Sequence, residues 1–337
     1  MYERGSVMER DRFNVLDGWR GISILLVLAT HLLPLGPHAW KLNIAAGILG
    51  MVFFFVLSGF LVTHFLLTRY GLVDFLIRRF FRILPLAWLY MTLMFLISPV
   101  TLEVWLAHFM FYINYPPERF VDTTPHLWSL CVEIHFYLGI AILVGLFNKR
   151  GLLLIPALLI AFTLFRATNG VHYSIMTHFR IDEILAGAML ALIYNDKLSG
   201  AFKIFLSHAS FPVSFVLLLI SCHPDGGFLC YLRPYFAVIL VGATLFNTQT
   251  RVAGLLQHKV LFYIATISFA LYVIHPFLMT TWLGSGDDLE KYAKRPLLFA
   301  LLFLSAHLST FYYEQKWIAL GKRLSSKLRV GGSLELK

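Results

Sequence analysis

Arg20 and His31 stand eleven residues apart in the first stretch of this chain long enough to cross a bilayer, residues 16–31. Eleven helical residues rise about 16 Å, roughly half of a ~30 Å hydrocarbon core. An ionisable side chain inside hydrocarbon is expensive and marks a functional site by default. A cation near one face and an imidazole deep in the membrane suit chemistry within the bilayer. Imidazole titrates near neutral pH and can take the proton of a hydroxyl as a general base. The bland alternatives are a snorkelling anchor for Arg20 and a helix–helix hydrogen bond for His31.

Further polar groups recur inside apolar runs. Arg78-Arg79-Phe-Phe-Arg82 opens the third such run. Arg79 and Arg82 are three apart and Arg78 and Arg82 four apart, so each pair shares a helix face. Paired guanidiniums bind phosphates through forked donors; topological anchoring is the alternative and accounts for Arg78. In His126-Leu-Trp128-Ser-Leu-Cys-Val-Glu133, the glutamate falls about two turns into a span. It needs a partner there, an imidazole or guanidinium being the obvious one, or else belongs to a structural polar network. His126, seven residues earlier, lies on roughly the same face. Trp128 and Tyr137 read as interface or core aromatics. Arg180-Ile-Asp182-Glu183 opens an apolar run, where acidic residues also suit a helix N-terminus. With His178 this cluster could line a polar outer pocket. Ser58-Gly59 reads as close helix packing, since it lacks the Gly-x-Ser-x-Gly nucleophile pattern. His275 could serve the pocket, but beside Pro276 it reads first as a kink-site hydrogen bond. No phosphate-cradling glycine loop, paired metal ligands or nucleic-acid module is present.

These groups need a membrane scaffold, and the composition supplies one. The 337 residues are 58% hydrophobic and only 14% charged, with mean hydropathy +0.74, against about 25% charged in soluble domains. The expected fold is all-α and polytopic: about ten transmembrane helices, at approximately 18–35, 44–66, 80–98, 127–147, 151–167, 179–195, 203–221, 230–247, 259–282 and 296–316. An eleventh segment, 101–114, carries Glu103, His108 and Asn114 and ends at Pro116-Pro117, so it is expected as a short interfacial or re-entrant helix. One membrane domain, 1–320, is followed by a basic cytoplasmic tail, 321–337. Threading ten spans leaves eight of the 28 Lys and Arg on the outer side, namely Lys41, Arg119, Arg166, Arg180, Arg233, Lys291, Lys294 and Arg295. The bias places both termini in the cytoplasm. The same rule explains the net charge of +10 without nucleic acid. Residues 1–12 are charged and show no cleavable signal, so the first span is expected as an uncleaved anchor. Cys222 and Cys230 could flank one outer loop and form a disulfide; Cys131 reads as core.

Taken in order, these residues resemble the membrane-bound acyltransferase family three, whose members O-acylate cell-surface polysaccharides, lipopolysaccharide O-antigen and some antibiotics. The resemblance runs through Leu16-Asp-Gly-Trp-Arg-Gly with His31, Phe53-Phe-Phe-Val-Leu-Ser-Gly-Phe60, Arg79-x-x-Arg82 with Pro85, His126-Leu-Trp-Ser-Leu-x-x-Glu133, Arg180-x-Asp182 with Leu185-Ala-Gly187, and Ile267-Ser-Phe-Ala-Leu-Tyr-x-x-His275. Each motif is degenerate alone; six in order are specific. The resemblance implies a ten-span core in the inner (cytoplasmic) membrane, acetyl-coenzyme A as acyl donor and His31 as the essential catalytic residue. It also implies donor binding or catalysis by Arg20, Arg79 and Arg82, with Arg78 beside them, and a supporting role for Glu133, which could orient His31. His126, Trp128, Arg180 and Asp182 are the candidates for binding a glycan or lipid-linked sugar acceptor. Two positions depart from the family pattern: Met51 and Val52 follow Gly50 where an aspartate is usual, and Ile134 follows Glu133 where Glu or Gln is common. The chain is expected to lack the extracytoplasmic hydrolase-like domain fused to some members. A transporter or flippase of a lipid-linked glycan is the competing class, since it too would bury His, Glu and Arg in a bundle; a non-catalytic scaffold is a third.

Overall fold

Long apolar runs, with proline confined to helix starts and a few interior kinks, fold as helices because lipid leaves each backbone polar group to be satisfied within its own segment. The computed structural model describes residues 13–68, 71–116 and 119–332. The charged stretch 1–12, Arg69, Pro117 and residues 333–337 lie outside the described residues. Helices are α1 (Asn14–Leu32), α2 (Leu42–Thr68), α3 (Leu72–Ile97), α4 (Leu102–Phe109), α5 (Trp128–Phe147), α6 (Ile155–Thr168), α7 (Thr177–Tyr194), α8 (Gly200–His208), α9 (Phe211–Cys222), α10 (Leu229–Phe246), α11 (Arg251–Leu256), α12 (Lys259–Met279), α13 (Asp288–Ala293), α14 (Arg295–Leu308) and α15 (Gln315–Gly332), with no strand among the described residues.

All ten expected spans fall on helices, with differences. Seven helical segments are long and apolar enough to cross a membrane by themselves, and eight if α8 and α9, bent by 92°, count as one broken span. The other two expected spans are α6 and α7. The sequence from α5 to α6 is one helical run, 125–168, interrupted by a 3₁₀ turn at Asn148–Leu154. Asn148 there has φ 53°, and a Cβ on Gly151 would come within 2.6 Å of the Leu143 carbonyl oxygen, so the chain folds back on the last turn of α5. α7 carries Arg180, Asp182 and Glu183 in its first two turns, all buried. The segment 101–114 forms the eight-residue α4, whose rise of about 12 Å cannot span the membrane. Cys222 and Cys230 are free thiols rather than a disulfide; Cys230 Sγ points instead at the His223 carbonyl, 3.5 Å away.

The centre of the bundle is α2, which packs on α1 and α7. α1 and α2 are antiparallel: Ser23 Oγ donates to the Gly50 carbonyl at 2.7 Å and Thr30 Oγ1 to the Asn43 carbonyl at 2.7 Å. α2 meets α7 backbone to backbone. A Cβ on Gly59 would lie 1.9 Å from the Ile184 carbonyl oxygen, and one on Gly187 would lie 1.9 Å from that of Val56. Small residues give lipid-embedded helices their closest approach, and across this contact the Phe55 ring of α2 lies 5.9 Å from the Arg180 guanidinium of α7. At the end of the chain, α14 passes through a π turn, Ser309–Glu314, into α15. α15 packs along α3, where the Arg78 Nε donates to Ser325 Oγ at 3.0 Å and Ser325 Oγ donates to Asp74 at 3.0 Å. The stretch expected as a tail from residue 321 is thus helical as far as Gly332.

Candidate active site

Two adjoining cavities meet at three guanidiniums. The larger, about 510 Å³, lies at the end of the bundle where α1 begins and is bordered by Asp17, His64, Arg78, Glu314 and Lys322. The smaller, about 70 Å³, penetrates the bundle between α1, α2, α3, α5 and α12. Arg20, Arg79 and Arg82 line both. The three-residue spacing of Arg79 and Arg82 aims both inward from one face of α3, as the sequence implied. Arg78 borders the larger cavity while tied to α15 through Ser325. Arg20 also reaches Asp17 Oδ1 at 3.3 Å, and the Arg79 guanidinium stands 5.8 Å from the Tyr137 ring centroid. Forked cations around an open basin suit a polyanion such as a nucleotide phosphate.

Glu133 faces the smaller cavity with these cations. Its partners are two hydroxyls rather than an imidazole: Oε1 accepts from Ser58 Oγ at 2.6 Å and from Tyr137 Oη. His126 cannot serve it, because seven residues place the two about 10 Å apart along the helix. Of the two partners expected for Glu133, the imidazole is therefore corrected, and with it the orienting of His31; the guanidiniums of Arg20, Arg79 and Arg82 do share its cavity.

His31 has imidazole company instead. Its ring centroid lies 5.2 Å from that of His275, which lies 5.4 Å from that of His126. His275, read from sequence as a kink-site residue, does bond the backbone: Nδ1 lies 2.8 Å from the Tyr272 carbonyl. As a carbonyl only accepts, this contact fixes the Nδ1–H tautomer. Both ring nitrogens of buried His126 lack a partner. Among the described residues no group of His, Cys, Asp or Glu has metal-ligand geometry. His31 lines neither cavity, although Val27, one turn before it, does. Tyr272 separates them: it lines the smaller cavity, shares a hydrogen bond of 2.6 Å with Ser129 and packs 5.1 Å from His126 and 6.0 Å from His275. The guanidinium and imidazole groups are thus neighbours across one tyrosine ring rather than residues along one open tunnel.

Arg180 and Asp182 belong to a third cluster, buried where α6, α7 and α10 converge. Arg166 Nη2 meets Asp182 Oδ2 at 2.8 Å; Arg233 Nε donates to Glu183 Oε1 at 2.8 Å; Arg180 Nε lies 3.3 Å from Glu183 Oε2. Asp182 and Glu183 are ion-pair partners rather than simple helix caps. The Arg180 guanidinium sits over three rings: Tyr173 at 5.0 Å, Trp128 at 5.6 Å and Phe55 at 5.9 Å. A desolvated cation–π contact is worth about 2 kcal/mol, against several kcal/mol to bury an ion. His178 stacks with Tyr115 and lies tilted against Phe179, outside these pairs.

Arg166 and Arg233, outer-side charges by the ten-span topology, are instead members of this buried cluster. The signal was present, since each sits within a helix-forming apolar run. Glu314, which borders the larger cavity, belongs to none of the sequence motifs. Its direction depends on the π turn, and nothing local marks that register.

Comparison with known proteins agrees with the resemblance. The family model described as "Acyltransferase domain", of acyltransferase family three, matches residues 13–314. The chain is 28% identical over 315 residues to a protein named as an O-acetyltransferase in Staphylococcus aureus (strain COL), covering 77% of this chain and 49% of that one. It is 26% identical over 313 residues to a Bacillus subtilis (strain 168) protein named as a peptidoglycan O-acetyltransferase, covering 77% and 47%. It is 26% identical over 308 residues to the O-acetyltransferase OatA of Staphylococcus aureus (strain NCTC 8325 / PS 47), covering 77% and 49%. The chain spans about half the length of these curated relatives. No solved structure matches it. With buried Arg and His groups in an all-helical membrane bundle, and a family match running from α1 to the π turn, the chain is a multi-pass membrane protein that belongs to acyltransferase family three.

Proposed function

We propose that this protein transfers an acyl group, acetyl by the names of its relatives, from acyl-coenzyme A to a hydroxyl of a cell-surface or lipid-linked glycan. The reading rests on one observation: three guanidiniums stand where an open basic basin narrows into a cavity that leads towards an imidazole cluster. Coenzyme A phosphates bind at Arg79 and Arg82, with Arg78 and Lys322 at the rim. The acyl-bearing arm follows the smaller cavity past Phe54 to Tyr272, whose side chain turns aside to admit the thioester. His31 takes the acceptor hydroxyl proton as the new C–O bond forms. The C–S bond breaks, and the departing thiolate takes the proton from the imidazolium, which returns His31 to its neutral form. Excess basic charge on the side where α1 begins makes that side cytoplasmic. The donor then enters from the cytosol of an inner-membrane protein with both termini inside, and the acceptor arrives from the opposite face. His126, Trp128, Arg180 and Asp182 belong to the acceptor side.

The test is purified protein with labelled acetyl-coenzyme A and surface glycans, read by mass spectrometry. His31→Ala is expected to lower transfer by about 10²–10⁴-fold while the protein stays folded. Normal activity in that variant would remove the role of His31. A transporter would give no acylated product at all.

A further inference from the structure

Arg180 carries a charge that its surroundings answer only in part, through one shared carboxylate. The cluster at α6, α7 and α10 holds three guanidiniums, Arg166, Arg180 and Arg233, against two carboxylates, Asp182 and Glu183. Arg233 has no idle donor, and Arg166 leaves only its Nε without a partner. Arg166 adds the Cys230 and Tyr231 carbonyls, at 3.2 and 3.0 Å, to its Asp182 pair. Arg233 adds the Ser221 and His172 carbonyls, at 3.4 and 3.3 Å, to Glu183. Arg180, at 0% exposure, makes no hydrogen bond through any guanidinium nitrogen and only a 3.3 Å approach of Nε to Glu183. A buried ion normally keeps its donors satisfied, so two idle Nη groups on a surplus positive charge are an anomaly.

The cage around it has one movable wall. Phe55 lies on α2 and Trp128 opens α5, both in the packed bundle; Tyr173 lies in the connection between α6 and α7 and is 48% exposed. Trp128 is two residues from His126, whose ring packs on His275 beside His31. The guanidinium therefore lies behind one partly exposed ring, next to the segment that carries the imidazole cluster.

We propose that Arg180 is the anion-recognition element of the acceptor site, and that the glycan acylated here carries a carboxylate or phosphate. The anion displaces Tyr173 and engages the two Nη groups as a fork, which matches either ligand. This deepens the proposed function and rests on its placing of the acceptor at this end of the bundle. Anion binding can be measured without acyl transfer, so either reading can fail alone.

The experiment follows thermal unfolding of the detergent-purified full chain with propionate and with inorganic phosphate, in wild type and Arg180→Met. A saturable upward shift is expected in wild type, and the readout is the part of it lost in Arg180→Met. Loss with propionate alone identifies a carboxylate; loss with phosphate alone identifies a phosphate. Arg180→Lys should keep only part of the shift, having charge without the fork. If neither anion gives a shift that depends on Arg180, the proposal is overturned. Should Arg180→Met fail to fold, Tyr173→Ala decides. It leaves every ion pair intact and removes the ring the anion must displace, so the same shift is expected at lower anion concentration. An unchanged response in Tyr173→Ala would overturn the proposal equally.

Discussion

Glu133 is held inside the bundle by two hydroxyls, with three guanidiniums facing the same cavity. Hydrogen bonds to a charged group contribute about 1.5–3 kcal/mol, whereas neutral ones between membrane helices average ~0.6 kcal/mol. The charged acceptor puts this site in the upper range. Tyr137→Phe keeps the ring against the Arg79 guanidinium and removes only the donor. It is expected to cost about 1.5–3 kcal/mol, read as a lowered unfolding midpoint with donor binding largely retained. At the basin, Arg79→Lys and Arg82→Lys keep charge and lose the bidentate fork. Titration with coenzyme A is expected to show weaker binding in each at unchanged expression. Unchanged affinity in both would reduce the pair to a membrane anchor.

The crossing of α2 and α7 decides whether those residues meet. Ser58 reaches Glu133 on α5 while Gly59, its neighbour, touches the backbone of α7. A side chain at Gly59 would strike a carbonyl oxygen 1.9 Å away, and backbone cannot turn aside as a side-chain tip can. Gly59→Val is expected to exceed the usual overpacking cost of about 1–3 kcal/mol. It should lose the monodisperse peak in size-exclusion chromatography, whereas Gly254→Ala, with open space around its Cβ, should keep it. A folded, active Gly59→Val would mean the two helices can separate without harm. The π turn before α15 is the other element with a consequence for the site. It brings Glu314 to the basin, where its Oε1 accepts from Thr310 Oγ1 at 3.0 Å and Ser309 Oγ at 3.1 Å. Such turns interrupt helices frequently at functional sites.

For the whole molecule, the asymmetry is one of charge. The basin holds Arg20, Arg78, Arg79, Arg82 and Lys322 at one end. The opposite end carries the exposed Lys41–Asp225 pair, with N–O distances of 2.7 and 2.9 Å, which ties the α1–α2 connection to the loop after α9. Asp225 is exposed, and the Lys41 ammonium holds its carboxyl below the usual carboxylate range. That contribution is present above the ordinary carboxylate pKa and fades as pH falls through the lowered value; its exposure keeps it small. Orientation is the testable matter at this scale. Single cysteines at Asp225 and Lys322, in a background lacking the native three, are expected to label from opposite sides of sealed vesicles. Labelling from the same side would overturn the placement of donor and acceptor on opposite faces.

Hydropathy and spacing are local quantities, so the sequence alone sufficed for an all-helical membrane protein, for the placing of its ten main helical segments and for the pairing of Arg79 with Arg82 on one face. It also marked Arg20, Glu133 and Arg180 as costly to bury, and His31 with them, although the structure leaves His31 exposed in the last turn of α1 rather than deep in the bundle. Their partners depend on where helices distant in sequence cross, and no local period encodes that. Tertiary packing alone set two hydroxyls on Glu133, brought His275 to His31, placed Tyr272 between cations and imidazoles, and turned Arg166 and Arg233 from outer-side charges into buried counter-ions. The same packing left Arg180 a cation without an anion of its own.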